Sequence, residues 1–317
     1  MRLVDRYAAI VCDLDGVVYR GDPAVPFAVE SLREAGIPIQ FATNNASRPP
    51  SAVGDHLRRL GLEVDDSSVA TSSQAAAWVL SQHVEAGARV LAIGGQGVAD
   101  ALTDAGFVPV SAADEEPVAV VQGYGPAVTA TDLAQAAYAV ERGALWLATN
   151  TDHTLPTASG YAPGNGALVL AVGAAVGRGP DLVAGKPDEP LYLMCAERLG
   201  VAPGEVLAIG DRLETDIEGA HHAGMESLLV LTGVHGIRDA VTAPPQARPT
   251  WVAGDLRALV ADVESLEPIA SALGEEWNAR DAAPTGSDVA RVLPEVLAFL
   301  EARHVMSDGA PQRVRSE

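Results

Sequence analysis

The stretch that most restricts the fold is Ala8-Ala9-Ile10-Val11-Cys12-Asp13-Leu14-Asp15-Gly16-Val17, close to the start of the chain. Its short apolar run reads as a buried strand, yet it finishes in two carboxylates and a glycine. In extended backbone, residues i and i+2 share a side, so Asp13 and Asp15 would both reach over the strand's C-terminal end. Gly16 then lets the chain turn sharply. Two anions this close need a compensating cation, and hard carboxylate oxygens suit Mg²⁺. The same pair of residues also opens calcium loops and ordinary turns.

Apolar strands that end in polar residues recur along the chain. Ile37 to Ala42 reads as a strand that finishes in Thr43-Asn44-Asn45, and Val25 to Ala35 before it reads as a helix. In a parallel α/β sheet, ligands sit beyond the carboxyl ends of the strands, which would set Thr43 and Asn44 next to Asp13. Alternatively, Asn45 or Ser47 caps a helix running through Leu60. Further on, Gly204 to Gly210 leads into Asp211, and Asp211 and Asp216 bracket a short loop. Strands at Arg89–Ile93, Val118–Gln122 and Leu145–Ala148 alternate with helical stretches at Ser73–Val84, Gly97–Ala105 and Thr131–Arg142, which predicts a second, mostly parallel α/β unit. Ser227–Leu231 and Thr250–Val252 add two core strands.

Three other stretches carry chemistry or imitate it. Lys186 is the sole lysine among 21 basic residues. It lies between Gly185 and Pro187 ahead of a helix, and reads either as a compact point charge that a planar guanidinium cannot imitate or as a surface lysine placed there by chance. Thr154 to Gly166 is rich in turn formers and precedes an apolar helix at Ala167–Val176. There Gly164-Asn165-Gly166 presents bare backbone N–H groups suited to an anion or polar substrate, or simply a loop with a cap. Gly95-Gln96-Gly97 follows a strand as a dinucleotide site would, but Asp100 stands where the third glycine belongs, so a tight turn is the better reading.

The bulk numbers narrow the partners. With 317 residues there is room for two domains. Net charge is −21, from 21 basic and 42 acidic side chains, which argues against nucleic acid and anionic membrane. No apolar run approaches a membrane span, and Met1 to Arg6 lacks the apolar core of a signal peptide, so the cytoplasm is the expected compartment. Cys12 and Cys195 lie too far apart in sequence for a metal-ligand spacing, and a disulfide framework is not expected. His221-His222 read as neighbours on a helix without a metal role.

Taken in order, Asp13-Leu14-Asp15-Gly16-Val17, Thr43-Asn44-Asn45, Lys186 and Gly210-Asp211-Arg212-Leu213-Glu214-Thr215-Asp216 resemble the four motifs of the haloacid dehalogenase superfamily of phosphotransferases. The long insertion between the second and third resembles the NagD-like, C2-capped branch. The resemblance spans roughly Tyr7 to Val260. It implies an α/β fold: a Rossmann-like parallel-sheet core, residues 1–70 and 182–264, with an inserted α/β C2-type cap at 71–181 acting as a lid. Residues 265–317 would form a C-terminal helical extension, with Val289 to Leu300 at helical spacing around Pro294, and a disordered tail.

The chemistry implied is Mg²⁺-dependent hydrolysis of a small phosphate ester through an aspartyl phosphate. Asp13 would be the nucleophile, Asp15 the general acid and base, and Lys186 the phosphate-neutralising cation. Thr43, Asn44 and Asn45 would orient the phosphoryl group, and Gly164, Asn165 and Gly166 would contact the substrate. Asp13, the Asp15 carbonyl and Asp211 would hold the metal. Asp216 would stand behind them, holding Lys186 or a metal-bound water, or else serve as a helix N-cap. Among substrates, glycerol 3-phosphate leads, with phosphoglycolate, p-nitrophenyl phosphate or a nucleotide monophosphate as alternatives and a phosphomutase as a different outcome. A pyridoxal ester is disfavoured because Leu155 stands where pyridoxal phosphatases carry a histidine. The resemblance also allows a homodimer.

Overall fold

The computed structural model describes residues 1–157 and 159–263, so the expected C-terminal helix and tail lie outside the described residues. In chain order the elements begin β1 (Ala9–Cys12), α1 (Ala28–Ala35), β2 (Ile39–Thr43), α2 (Pro50–Leu60), β3 (Val69–Thr71), α3 (Ser72–Leu80), β4 (Arg89–Ile93) and α4 (Gln96–Asp104). Then come β5 (Val108–Val110), β6 (Ala119–Gln122), α5 (Ala130–Glu141), β7 (Leu145–Ala148), β8 (Thr154–Thr157), β9 (Gly160–Pro163) and α6 (Asn165–Val176). The described chain closes with β10 (Leu182–Val183), α7 (Pro190–Leu199), β11 (Val206–Gly210), α8 (Glu218–His222), β12 (Glu226–Val230), α9 (Ile237–Thr242) and β13 (Trp251–Ala253). Two compact units share them: residues 1–41, 60–62 and 196–263 form the first, and residues 42–59 and 63–195 the second. The second unit takes in the expected insertion at 71–181 and also residues 42–59, 63–70 and 182–195, which the sequence assigns to the core.

In the first unit the strands run in the order β13-β12-β11-β1-β2, each pair parallel. Every residue of β1 and β11 is buried. A strand covered on both faces cannot alternate polar and apolar side chains, which is why both read as continuous apolar runs. Register places Cys12 opposite Ile209, so the residues that follow, Asp13 on one strand and Gly210-Asp211 on the next, leave the sheet at the same edge. Helix α1 starts at Ala28 rather than the expected Val25, because Phe27 sits in left-handed backbone (φ 65°) that no helix can include. Gly36, also left-handed (φ 73°), closes it.

At the opposite end of this sheet, the Tyr7 hydroxyl donates to the Glu226 carboxylate and accepts from Trp251 Nε1 at 2.7 Å. Burial, then the Glu226 carboxylate, push the phenol's pKa far above its ordinary value. Tyr7→Phe strands the Trp251 donor and is expected to lower unfolding free energy by about 1–3 kcal/mol near neutral pH. The contribution from the raised pKa is fully present below about pH 10, where unfolded tyrosine ionises, and fades as pH rises past it. Denaturant titrations at pH 8 and pH 11 should therefore show the gap between wild type and variant narrowing in alkali.

The second unit carries a parallel sheet in the order β10-β7-β6-β4-β5 and an antiparallel hairpin of β8 and β9. Trp146, fully buried, anchors a core with Leu91, Val120, Val140 and Val169. Capping boxes start two of its helices: Thr71 with Gln74 for α3 and Thr129 with Asp132 for α5. The hairpin is a correction, since a turn-rich loop was expected there. Its residues are exposed or half-buried on both sides, so no apolar alternation marks it, and Pro156 and Pro163 fall in it. The Gly95–Gly97 turn is explained by packing: a Cβ on Gly97 would meet the Ala46 and Arg48 carbonyl oxygens at 2.7 and 2.8 Å. The chain's own residues 46–48 fill the room a pyrophosphate would need.

Candidate active site

The site in the first unit starts where β1 stops. The Asp13 N–H donates to the Ile209 carbonyl at 2.9 Å, extending the β1–β11 ladder by one residue before the chain turns. Val17, Val18 and Tyr19 N–H groups then gather on the Leu14 carbonyl (3.3, 2.9 and 3.2 Å), and the Gly16 N–H donates to Tyr19 at 2.8 Å. This tight loop leaves Asp13 part-buried and Asp15 exposed. Gly16 is required twice over. Its φ is +86°, and a Cβ there would come within 2.8 Å of Asp211 Cγ.

Asp211 follows β11 directly and is 2% exposed, as is Asp216. A π-helical turn at Leu213–Ile217 folds Asp216 back, so that its Oδ2 accepts from the Asp211 and Arg212 N–H groups at 3.2 and 3.0 Å. Gly210 is small because a Cβ there would overlap the Asp216 side chain. One carboxylate oxygen from each of Asp13, Asp211 and Asp216 lies within 4.8 Å of the other two. Three part-buried or buried carboxylates at this range repel one another unless a cation joins them, and an all-oxygen donor set fits a hard divalent ion. Asp216, expected to stand behind the ligands, thus has a carboxylate oxygen within reach of the other two, and the exposed side chain of Asp15, whose carbonyl is the expected ligand, is not in that group.

A third strand end completes this arrangement, and nothing in the sequence reading pointed to it. After β12, Thr232 Oγ1 donates to the Gly16 carbonyl at 2.7 Å. The Val234 N–H donates to Asp211 Oδ2 at 2.8 Å and the His235 N–H to the Asp211 carbonyl at 3.1 Å. His235 Nδ1 in turn accepts from the Leu213 N–H at 3.2 Å. Gly233 packs so closely that an added Cβ would overlap the Asp211 side chain. The segment is a collar that fixes the Asp211 carboxylate through main-chain groups. The available signal was a glycine just past a third parallel strand, at the edge where ligands bind.

The remaining expected site residues belong to the second unit. Thr43 is buried, and its Oγ1 accepts from the Asn45 N–H at 3.1 Å, an arrangement that keeps its own hydroxyl proton for another acceptor. Asn45 Oδ1 accepts from Ser47 N–H and Oγ at 3.0 and 2.7 Å, a local turn, and the helix begins only at Pro50, where a missing N–H costs nothing. Lys186 is 3% exposed with Nζ 3.4 Å from the Ala42 carbonyl. Asn44 links to it through the Lys186 main chain.

Gly164-Asn165-Gly166 takes the plainer of its two readings. Asn165 is 2% exposed, and its Nδ2 donates to the Gln122 and Asn150 carbonyls at 3.2 and 2.7 Å. Cβ atoms on Gly164 and Gly166 would strike the Asp152 and Thr151 carbonyls. These glycines let α6 start against the 151–152 backbone, and the asparagine ties it there.

Comparison with known proteins agrees with this layout. A family model described as haloacid dehalogenase-like hydrolase matches residues 10–108, and one described as HAD-hydrolase-like matches residues 183–259. The chain is 43% identical over 267 residues to a D-glycerol 3-phosphate phosphatase of Mycobacterium tuberculosis, covering 83% of this chain and 74% of that one. It is 34% identical to an acid sugar phosphatase of Staphylococcus aureus, covering 82% and 99%. Among solved structures, a glycerol phosphate phosphatase of M. tuberculosis in complex with magnesium superposes with a TM-score of 0.82 at 35% identity, covering 96% of this chain and 99% of that one. A p-nitrophenyl phosphatase of Archaeoglobus fulgidus superposes at 0.74 with 29% identity, covering 80% and 97%.

Proposed function

Because the chain belongs to the haloacid dehalogenase-like hydrolases, we propose that it is a Mg²⁺-dependent phosphatase that hydrolyses a small organic phosphate monoester, glycerol 3-phosphate first among them. The observation that carries the reading is the trio of Asp13, Asp211 and Asp216 at the C-terminal edge of adjacent parallel strands. The choice of glycerol 3-phosphate is supported by the 43% identical relative. The same chemistry on a sugar phosphate is the second reading, supported by the acid sugar phosphatase.

The residues divide the work as phosphoryl transfer demands. The Asp13 carboxylate attacks phosphorus, and the ester oxygen leaves with a proton from Asp15, forming an aspartyl phosphate and the free alcohol. Asp15, exposed and able to exchange protons with solvent, then takes a proton from water as that water attacks phosphorus. The Asp13–phosphate bond breaks, phosphate departs, and Asp13 is a carboxylate again. Lys186 supplies positive charge to the phosphoryl oxygens and Thr43 donates its hydroxyl proton to one of them. Asp13, Asp211 and Asp216, together with the Asp15 carbonyl, would hold Mg²⁺, which when bound offsets the repulsion between an anionic nucleophile and an anionic ester.

The cytoplasm is the proposed compartment. Cys12 and Cys195 are buried and make no disulfide, and among the described residues no helix is long and apolar enough to cross a membrane.

The test is phosphate release from glycerol 3-phosphate, phosphoglycolate, a sugar phosphate, pyridoxal 5′-phosphate and uridine monophosphate, with Mg²⁺ and with a chelator. Release from glycerol 3-phosphate above the rest, and none under chelation, is expected. No release from any ester overturns the reading. A product that keeps its phosphate on another carbon makes the protein a mutase.

A further inference from the structure

The sequence resemblance counts Asn44 among the groups that touch the phosphoryl oxygens. The structure employs its side chain differently. A primary amide has two N–H donors, and both are engaged: Asn44 Nδ2 donates to the Lys186 carbonyl at 2.9 Å and to Asp152 Oδ2 at 3.2 Å. Its Oδ1 accepts from the Lys186 N–H at 2.9 Å. The amide orientation follows from chemistry, since the Lys186 N–H must face an oxygen and the Lys186 carbonyl must face a nitrogen. A phosphoryl oxygen needs a donor, and this side chain has none left to give.

What the amide does is grip one peptide residue on both its N–H and its C=O, as a neighbouring β-strand would. Gly185 shows how close the grip is, because a Cβ there would lie 2.6 Å from Asn44 Oδ1. The Asn44 main-chain carbonyl is itself held by Ser72 Oγ at 2.7 Å and Asn150 Nδ2 at 2.8 Å. Lys186 Nζ also approaches the Ala42 carbonyl, two residues before Asn44. The ammonium of Lys186 and the hydroxyl of Thr43 are therefore both referenced to the short segment 42–44.

We propose that Asn44 is a positioning residue that clamps the Lys186 backbone so that the Lys186 ammonium and the Thr43 hydroxyl address the same phosphoryl group, and that it makes no side-chain contact with the ester. This rests on the phosphatase reading above and refines it. Misplacing a charged group by about 1 Å costs on the order of 10²-fold in rate, so Asn44→Ala should lower kcat/KM by roughly 10–100-fold, mainly through kcat, and should weaken binding of inorganic phosphate.

The decisive experiment is a double-mutant cycle. Wild type, Asn44→Ala, Lys186→Ala and the double variant are compared for kcat, KM and calorimetric affinity for inorganic phosphate, with thermal unfolding recorded for each. If Asn44 acts through Lys186, the double variant matches Lys186→Ala within about twofold in phosphate affinity and in any residual activity. If the two losses multiply, Asn44 acts on the ester itself or on the fold at large, and the proposal fails. Asn44→Ser runs the same cycle should the alanine variant not fold. Wild-type protein that binds phosphate but turns over no ester overturns the phosphatase reading alone, because the binding cycle still reports on the clamp.

Discussion

Asp13→Asn is expected to lower kcat by on the order of 10⁴-fold or more, which corresponds to about 5.5 kcal/mol or more of lost transition-state stabilisation. The substitution keeps the shape and size of the side chain and leaves intact the main-chain bond from residue 13 to Ile209. What it removes is the anionic oxygen that attacks phosphorus in the proposed mechanism. Because it also deletes one of three mutually repelling carboxylates, the variant should unfold at the same temperature as wild type or higher when Mg²⁺ is chelated. That combination separates lost chemistry from a damaged fold. Acid quenching during turnover of a phosphate-labelled ester should trap a hydroxylamine-sensitive protein phosphate in wild type and none in the variant. Activity within tenfold of wild type would remove Asp13 from the nucleophile's role.

The positions that the sequence marks as candidates share one property: the side chain itself advertises the chemistry. Asp13 and Asp211 stand out because a strand buried on both faces admits only apolar residues, so a carboxylate at its end needs another reason to be there. Lys186 stands out as a lone ammonium among arginines. Positions where the backbone acts were illegible. The Val234 N–H orients Asp211, yet nothing about a valine reports that its amide is used.

Glycines misled in the other direction. Gly164 and Gly166 look like an anion cradle in sequence, but their smallness admits the backbone of residues 151–152. Gly95 and Gly97 likewise make way for residues 46–48. A sequence shows that something approaches a glycine closely, not whether it is ligand or chain. Asn44 belongs with these, since a polar strand end says nothing of which group its amide meets. The fold was more legible than the site because parallel strands leave long apolar runs, whereas the β8–β9 hairpin, half-buried at best, leaves none.

The collar after β12 leads to the second large effect, on metal affinity measured by calorimetric titration of Mg²⁺ without substrate. In Asp211→Asn, the Val234 N–H demands an oxygen at the Oδ2 position, so the new NH₂ must occupy the other one. That places N–H donors within the group of carboxylates where a cation needs a lone pair, and removes one of three negative charges. Disturbing a residue that merely supports a ligand costs about 10–100-fold in affinity, and losing a ligand should exceed it. Asp211→Asn is therefore expected to weaken Mg²⁺ by more than about 100-fold. Gly233→Ala keeps every carboxylate, but its Cβ would overlap the Asp211 side chain, which must rotate or move away from its two partners. It should fall in the 10–100-fold range and lower the melting temperature in chelator as well, because the Asp211 Cβ, 2.3 Å from the added methyl, is fixed to the backbone and the main chain must give way. Wild-type Mg²⁺ affinity in Gly233→Ala would show that Asp211 tolerates displacement, and the collar would then have no part in holding the metal. Wild-type affinity in Asp211→Asn would remove Asp211 from the ligand set.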